Sequence, residues 1–115
     1  MDEPTQKDLE ALFLPRLEEE LRALREASVQ TAANRKPVEL DQQSVGRLSR
    51  MDAIQQQAMA FAQEARRNGR GRALEAAIAR IATPEFGWCD NCGDFIGMGR
   101  LELDPTVTRC RDCAK

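Results

Sequence analysis

The sequence predicts a mainly α fold: an antiparallel helical hairpin (coiled coil) over residues 1–83, carrying a small four-cysteine module over residues 84–115. Three observations predict it. Charged residues make up 31% and aromatics 4%, with abundant Ala, Leu, Glu, Arg and Gln, which is the composition of long helices. Leucines recur at alternating steps of three and four from Leu14 to Leu24, the spacing of a packing seam. All four cysteines fall between Cys89 and Cys113. A length of 115 residues allows one small domain, or one module with an appendage.

The first helix is expected to begin at Thr5. Thr5-Gln6-Lys7-Asp8 has capping-box spacing, with Asp in place of Glu, and Pro4 precedes it. Leu14, Leu17, Leu21, Leu24 and Ser28 then form an a/d seam. Pro15 removes a backbone donor and crowds the carbonyl of Ala11, so the helix either kinks there or gives way to a second one. Asn34 and Pro37 are turn residues and place the hairpin tip near residues 34–41.

The second helix is expected from about Asp41 to Ala82, with Asp41 or Ser44 as its cap. Met51, Ile54, Ala58, Phe61 and Ala65 continue the apolar stripe. A turn near Lys36 would set Leu24 against Leu48 and Leu21 against Met51. Gly69 and Gly71 interrupt the pattern at about 1 kcal/mol each relative to Ala, as a bend or as a weak turn of one long helix. The pattern resumes at Leu74, Ala77, Ile78 and Ile81 and stops at Thr83-Pro84. Residues 1–30 carry a net charge of −4 and residues 61–83 a net charge of +3, which suits antiparallel pairing of the acidic start with the basic end.

Two short arms bury little surface, so a chain of this size needs a staple. Cys89-x-x-Cys92, seventeen residues and Cys110-x-x-Cys113 supply one, with the spacing of a tetrahedral zinc ribbon. Each CxxC turn points two thiolates at one ion, and Gly93 follows Cys92 where such a turn needs positive φ. Four protein ligands leave no open position, so one structural Zn2+ is expected and no catalytic one. Arg100, Arg109 and Arg111 are near enough in sequence to offset the thiolate charge. Trp88, Phe95, Ile96, Leu101, Leu103 and Val107 would form the core around the metal. Redox release of the same thiolates is an alternative use of them, an iron–sulfur cluster fits the spacing less well, and a disulfide pair fits an intracellular chain least.

Several function classes are disfavoured. His is absent, and there is no phosphate loop, no serine nucleophile motif and no open metal position, so an enzyme is not expected. The acidic N-terminus does not resemble a secretory signal and no apolar stretch approaches membrane-spanning length, which leads us to expect a soluble cytoplasmic protein with no membrane partner. Residues 84–115 are net −2, whereas a phosphate-binding face is basic, so direct nucleic-acid binding by the module is the secondary reading. The run Arg66, Arg67, Arg70 and Arg72 reads either as a solvated helix face or as a docking surface, for which Arg70, Arg72 and Arg100 are the candidates. An intramolecular hairpin implies a monomer; a free-standing dimeric coiled coil is the competing arrangement.

Phe86-Gly87-Trp88-Cys89-Asp90-Asn91-Cys92-Gly93, Ile96-Gly97, Arg100-Leu101-Glu102, Pro105-Thr106 and Cys110-x-x-Cys113 resemble the DksA/TraR zinc-finger family of the four-cysteine type. The segments Val38-Glu39-Leu40-Asp41 and Val45 to Ala53 resemble the hairpin of its shorter DksA-like members. The resemblance implies a transcription regulator that binds bacterial RNA polymerase rather than DNA. It implies that the zinc end grips the rim of the secondary channel while the coiled coil enters it, and that acidic tip residues perturb the catalytic centre. The implied tip residues here are Glu39, Asp41, Ser44 and Asp52. The Asp-x-x-Asp-x-Ala tip of well-studied members is absent, and Asp41-x-x-Ser44-x-Gly46 stands nearest in place. Many members act with ppGpp, but positions where responsive members are basic read Ala73, Asp104 and Ala114, and Asp104 would repel a polyphosphate.

Overall fold

The computed structural model describes residues 4–35 and 47–114, the side chains of Asn34, Arg47, Leu48 and Ser49 excepted. Among the described residues three α-helices follow in order: α1 (Gln6–Gln30), α2 (Arg47–Ile81) and α3 (Met98–Leu103), with a 3-10 turn at Ala32–Arg35 after α1. The capping box at Thr5 forms as its spacing predicts. The Asp8 amide donates to Thr5 Oγ1 at 3.2 Å, and the Thr5 amide donates to Asp8 Oδ2 at 3.1 Å. Helix α1 runs unbroken through Pro15, which lies on its exposed face. Helix α2 likewise runs unbroken through Gly69 and Gly71.

The buried row on α1 is Leu9, Phe13, Leu17 and Leu21, spaced strictly by four. Leu14 and Leu24, two positions of the predicted seam, are partly buried beside it. A strict i+4 row is one of the two ridge directions by which helices interlock, so the contact follows a ridge rather than alternating heptad positions. Across from it stand Leu74, Ala77 and Ile81 of α2, and the same cluster continues into the C-terminal module through Phe86, Ile96 and Leu101. Hairpin and module therefore share one core. The Phe13 and Phe86 rings pack with centroids 6.1 Å apart. Gly87 lets the chain pass α1 closely: its φ is +89°, and a Cβ there would come within 3.0 Å of Leu9 Cδ1. Phe86 and Gly87 are thus as much a part of the hairpin core as of the module.

The helices are antiparallel, but their register differs from the expected one. Leu21 packs beside Gly71, and a Cβ on Gly71 would lie 3.9 Å from Leu21 Cδ1. Met51, its expected partner, is 58% exposed, and Ile54 and Phe61 are also exposed. The expected contact of Leu24 with Leu48 involves a side chain outside the described residues. The physical reason is continuity of the core. Pairing α1 with residues 64–81 joins its leucines to Leu74, Ile81 and the apolar module in one cluster, whereas pairing with residues 48–65 would leave that cluster divided. The predicted tip at 34–41 lies almost wholly outside the described residues.

The charge pattern is realised in this register. Arg25 of α1 pairs with Glu75 of α2 at 2.9 Å. Where α1 ends, Ser28 donates to Glu64, Arg35 pairs with Glu64 at 2.8 Å, and Arg67 donates to Thr31 Oγ1 at 2.9 Å. The Ser28 hydrogen bond, with Arg35 and Arg67 alongside, holds the Glu64 carboxyl below its ordinary range. No helix among the described residues is long and apolar enough to cross a membrane.

Candidate metal centre

The two CxxC turns bring four sulfurs together. The Sγ atoms of Cys89, Cys92, Cys110 and Cys113 all lie within 4.8 Å of one another, with Cys92 and Cys110 separated by 3.7 Å. Zn–S bonds of about 2.3 Å in a tetrahedron put sulfurs roughly 3.8 Å apart, so the cluster fits this ion. All four cysteines are free of disulfides.

Local backbone geometry builds the first turn. The Cys89 amide donates to Asp94 O at 2.8 Å, and the Gly93 amide returns a bond to Cys89 O at 3.0 Å. Closing that loop requires Gly93 at φ +79°, as its position after Cys92 predicts. The Asn91 and Cys92 amides then point at Cys89 Sγ, at 3.4 and 3.5 Å. The Asn91 side-chain amide reaches across to Cys113 Sγ at 3.3 Å. Sequence reasoning missed Asn91. The signal was present as a donor inside the CxxC turn, since thiolate ligands are held by outer hydrogen bonds.

The electrostatics call for a cation. Hydrogen bonds from the backbone at Cys92 and Cys110 pull the Cys89 thiol down to about 6. The Asp94 amide also draws the Cys92 thiol down, but the neighbouring Cys89, Cys110 and Cys113 outweigh it and push that thiol up to about 12. Four sulfurs this close do not ionise together without a positive ion between them.

The second turn is tied to the first. The Asp90 amide donates to Thr108 O at 2.8 Å, Arg109 Nε donates to Asp90 Oδ1 at 3.2 Å, and Arg100 Nε donates to Arg109 O at 3.0 Å. Of the predicted module core, Ile96 and Leu101 are buried and Phe95 and Val107 partly so. Trp88 is half-buried and packs against Phe95, with ring centroids 5.3 Å apart and planes tilted by 55°. Leu103 departs from expectation and is 85% exposed, because α3 ends there and turns it outward; Phe86 fills the core instead.

The other predicted site residues divide into three groups. Glu39, Asp41 and Ser44 lie outside the described residues. Asp52 is exposed on α2. Among the basic candidates, Arg72 is exposed and Arg100 is held to the second cysteine turn. Arg70 turns inward. Its Nη2 donates to Glu20 Oε1 of α1 at 3.0 Å, and its Nη1 donates to Asp104 Oδ1 and Thr106 Oγ1 of the module, each at 3.0 Å. One guanidinium thereby joins α1, α2 and the zinc module. Its hydrogen bond holds the Glu20 carboxyl below the usual range. Burial raises Asp104, but hydrogen bonds from Thr106 and Arg70 outweigh it and leave that carboxyl low.

A helical hairpin locked to a four-thiolate zinc site defines the class: a zinc-finger protein with a projecting helical arm. Residues 84–115 match the family model of the prokaryotic dksA/traR C4-type zinc finger, so the C-terminal module is a finger of the DksA/TraR type. The chain is 44% identical over 57 residues to the RNA polymerase-binding transcription factor DksA of Haemophilus influenzae, covering 46% of this chain and 39% of that protein. It is 39% identical over 57 residues to the protein of the same description from Escherichia coli K12, covering 46% and 38%. The chain thus matches well under half the length of these relatives. The fold resembles that of the transcription factor DksA2 from Pseudomonas aeruginosa, with a TM-score of 0.72 over 98% of this chain and 82% of that one, at 22% identity.

Proposed function

We propose that this chain is a transcription regulator that binds bacterial RNA polymerase at its secondary channel and modulates initiation through the hairpin tip. The carrying observation is the zinc-finger match over residues 84–115, beside relatives matched over 57 residues that are described as RNA polymerase-binding transcription factors. The shape supports the reading, since an elongated molecule of 70 × 28 × 18 Å presents a two-helix arm that is slimmer than a globular domain and suited to entering a channel. The chain divides at 83/84 into the arm and the docking module. One Zn2+, held by Cys89, Cys92, Cys110 and Cys113, is structural, and the protein is a cytoplasmic monomer without enzymatic activity. Arg72 and Arg100 are the docking cations, while Arg70 fixes the direction of the arm relative to the docked module. Glu39, Asp41, Ser44 and Asp52 are the tip residues that act in the channel. Arg70, the cation beside Asp104, is already committed to Glu20, Asp104 and Thr106, which speaks against a ppGpp requirement.

Asp41→Asn tests the division of labour. A charged hydrogen bond contributes about 1.5–3 kcal/mol. The variant is expected to bind polymerase nearly as well as wild type while its effect on promoter complexes falls about tenfold or more. Fluorescence binding to core polymerase and promoter-complex lifetimes are the two readouts. Loss of binding itself would assign Asp41 to docking instead.

A further inference from the structure

A recess of about 410 Å³ lies between α1 and α2 alongside Gly71. Its apolar surface comes from Leu21 and Leu24, and Arg25, Arg67 and Arg72 stand around it. The acid in its lining, Glu75, is already paired with Arg25. Arg72 has neither an ion pair nor a hydrogen bond among the described residues. Arg67 lies 3.6 Å from Glu64 through its Nε, too far for a hydrogen bond, and that buried N–H has no acceptor. Positive charge therefore exceeds what the surrounding carboxylates use.

Gly71 is the second observation. It sits in the interior of a 35-residue helix, where glycine weakens the helix. Packing does not require it, because a Cβ would meet only Leu21 Cδ1, at an ordinary 3.9 Å. Its missing side chain keeps the recess open. We propose that this recess binds a small organic anion, with a phosphate or carboxylate head at Arg67 and Arg72 and an apolar body on Leu21, Leu24 and the Gly71 backbone. Guanidinium groups pair with such heads through two N–H donors, and the volume lies within the range of small-molecule sites. The occupant would touch both helices and so stiffen the neck of the arm. This inference does not depend on polymerase binding.

Phenyl phosphate is the probe, titrated at low salt into the zinc-loaded full chain and followed by NMR chemical shifts. Saturation with a Kd of about 1 mM is expected for a ligand of this size. Inorganic phosphate and phenol are each expected to bind more than tenfold more weakly; either binding equally well would overturn the proposal. Benzoate distinguishes a carboxylate site from a phosphate site, and failure of both aryl anions to saturate overturns the proposal. Gly71→Met should fill the recess and abolish binding without lowering the melting temperature, since methionine is the better helix former. Arg72→Ala, at an exposed position, should weaken binding about tenfold. Unchanged binding in both variants would overturn the assignment of the site.

Discussion

Cys92→Ser is expected to release zinc and unfold the C-terminal module while substantial helix persists by circular dichroism. The four Sγ atoms lie within 4.8 Å of one another, and the turns around them are closed by a handful of backbone hydrogen bonds. Apart from the core it shares with the hairpin, the module has zinc as its main staple, and structural zinc supplies on the order of 10 kcal/mol in isolated fingers. Helix persists because α1 and α2 are long, but the melting temperature should fall, since Phe86, Ile96 and Leu101 belong to the same cluster as Leu9 and Leu74. Zinc analysis and circular dichroism on the purified variant check this. Retention of stoichiometric zinc would show that Cys92 is not a ligand.

Leu74→Ala should be among the most damaging changes in the hairpin. Leu74 is fully buried between α1 and the module. Removing a leucine of this kind costs about 2–5 kcal/mol, which in a chain of this size lowers the melting temperature by on the order of 10 °C or more. Met51→Ala should cost no more than about 0.5 kcal/mol, because Met51 is 58% exposed. The register expected from the turn residues predicts a large cost at Met51. Thermal melts of the two variants at saturating zinc decide between the registers, and equal losses would contradict the pairing described here.

The contrast shows what was legible in the chain. The helical composition, the Thr5 cap, the stop at Thr83-Pro84 and the CxxC pairs each depend on neighbours within a few residues, and each was readable. The register was not. It depends on which of two apolar stripes, Met51–Ala65 or Leu74–Ile81, gains more by meeting α1, and that choice is made by Phe86, Ile96 and Leu101 in a module beyond both. The role of Arg70 was hidden for the same reason. A basic run looks like a solvated face until the fold brings Glu20 and Asp104, fifty and thirty-four positions away, to one guanidinium. The metal centre was almost fully legible because cysteine spacing alone fixes it; Asn91 was the part that spacing did not reveal.

The most direct test of the central claim is competition for bacterial core RNA polymerase between the zinc-loaded protein and a known secondary-channel factor, at moderate salt. Concentration-dependent displacement of that factor is the result predicted here. Folded protein with full zinc occupancy that neither binds the polymerase nor displaces the factor would contradict the account.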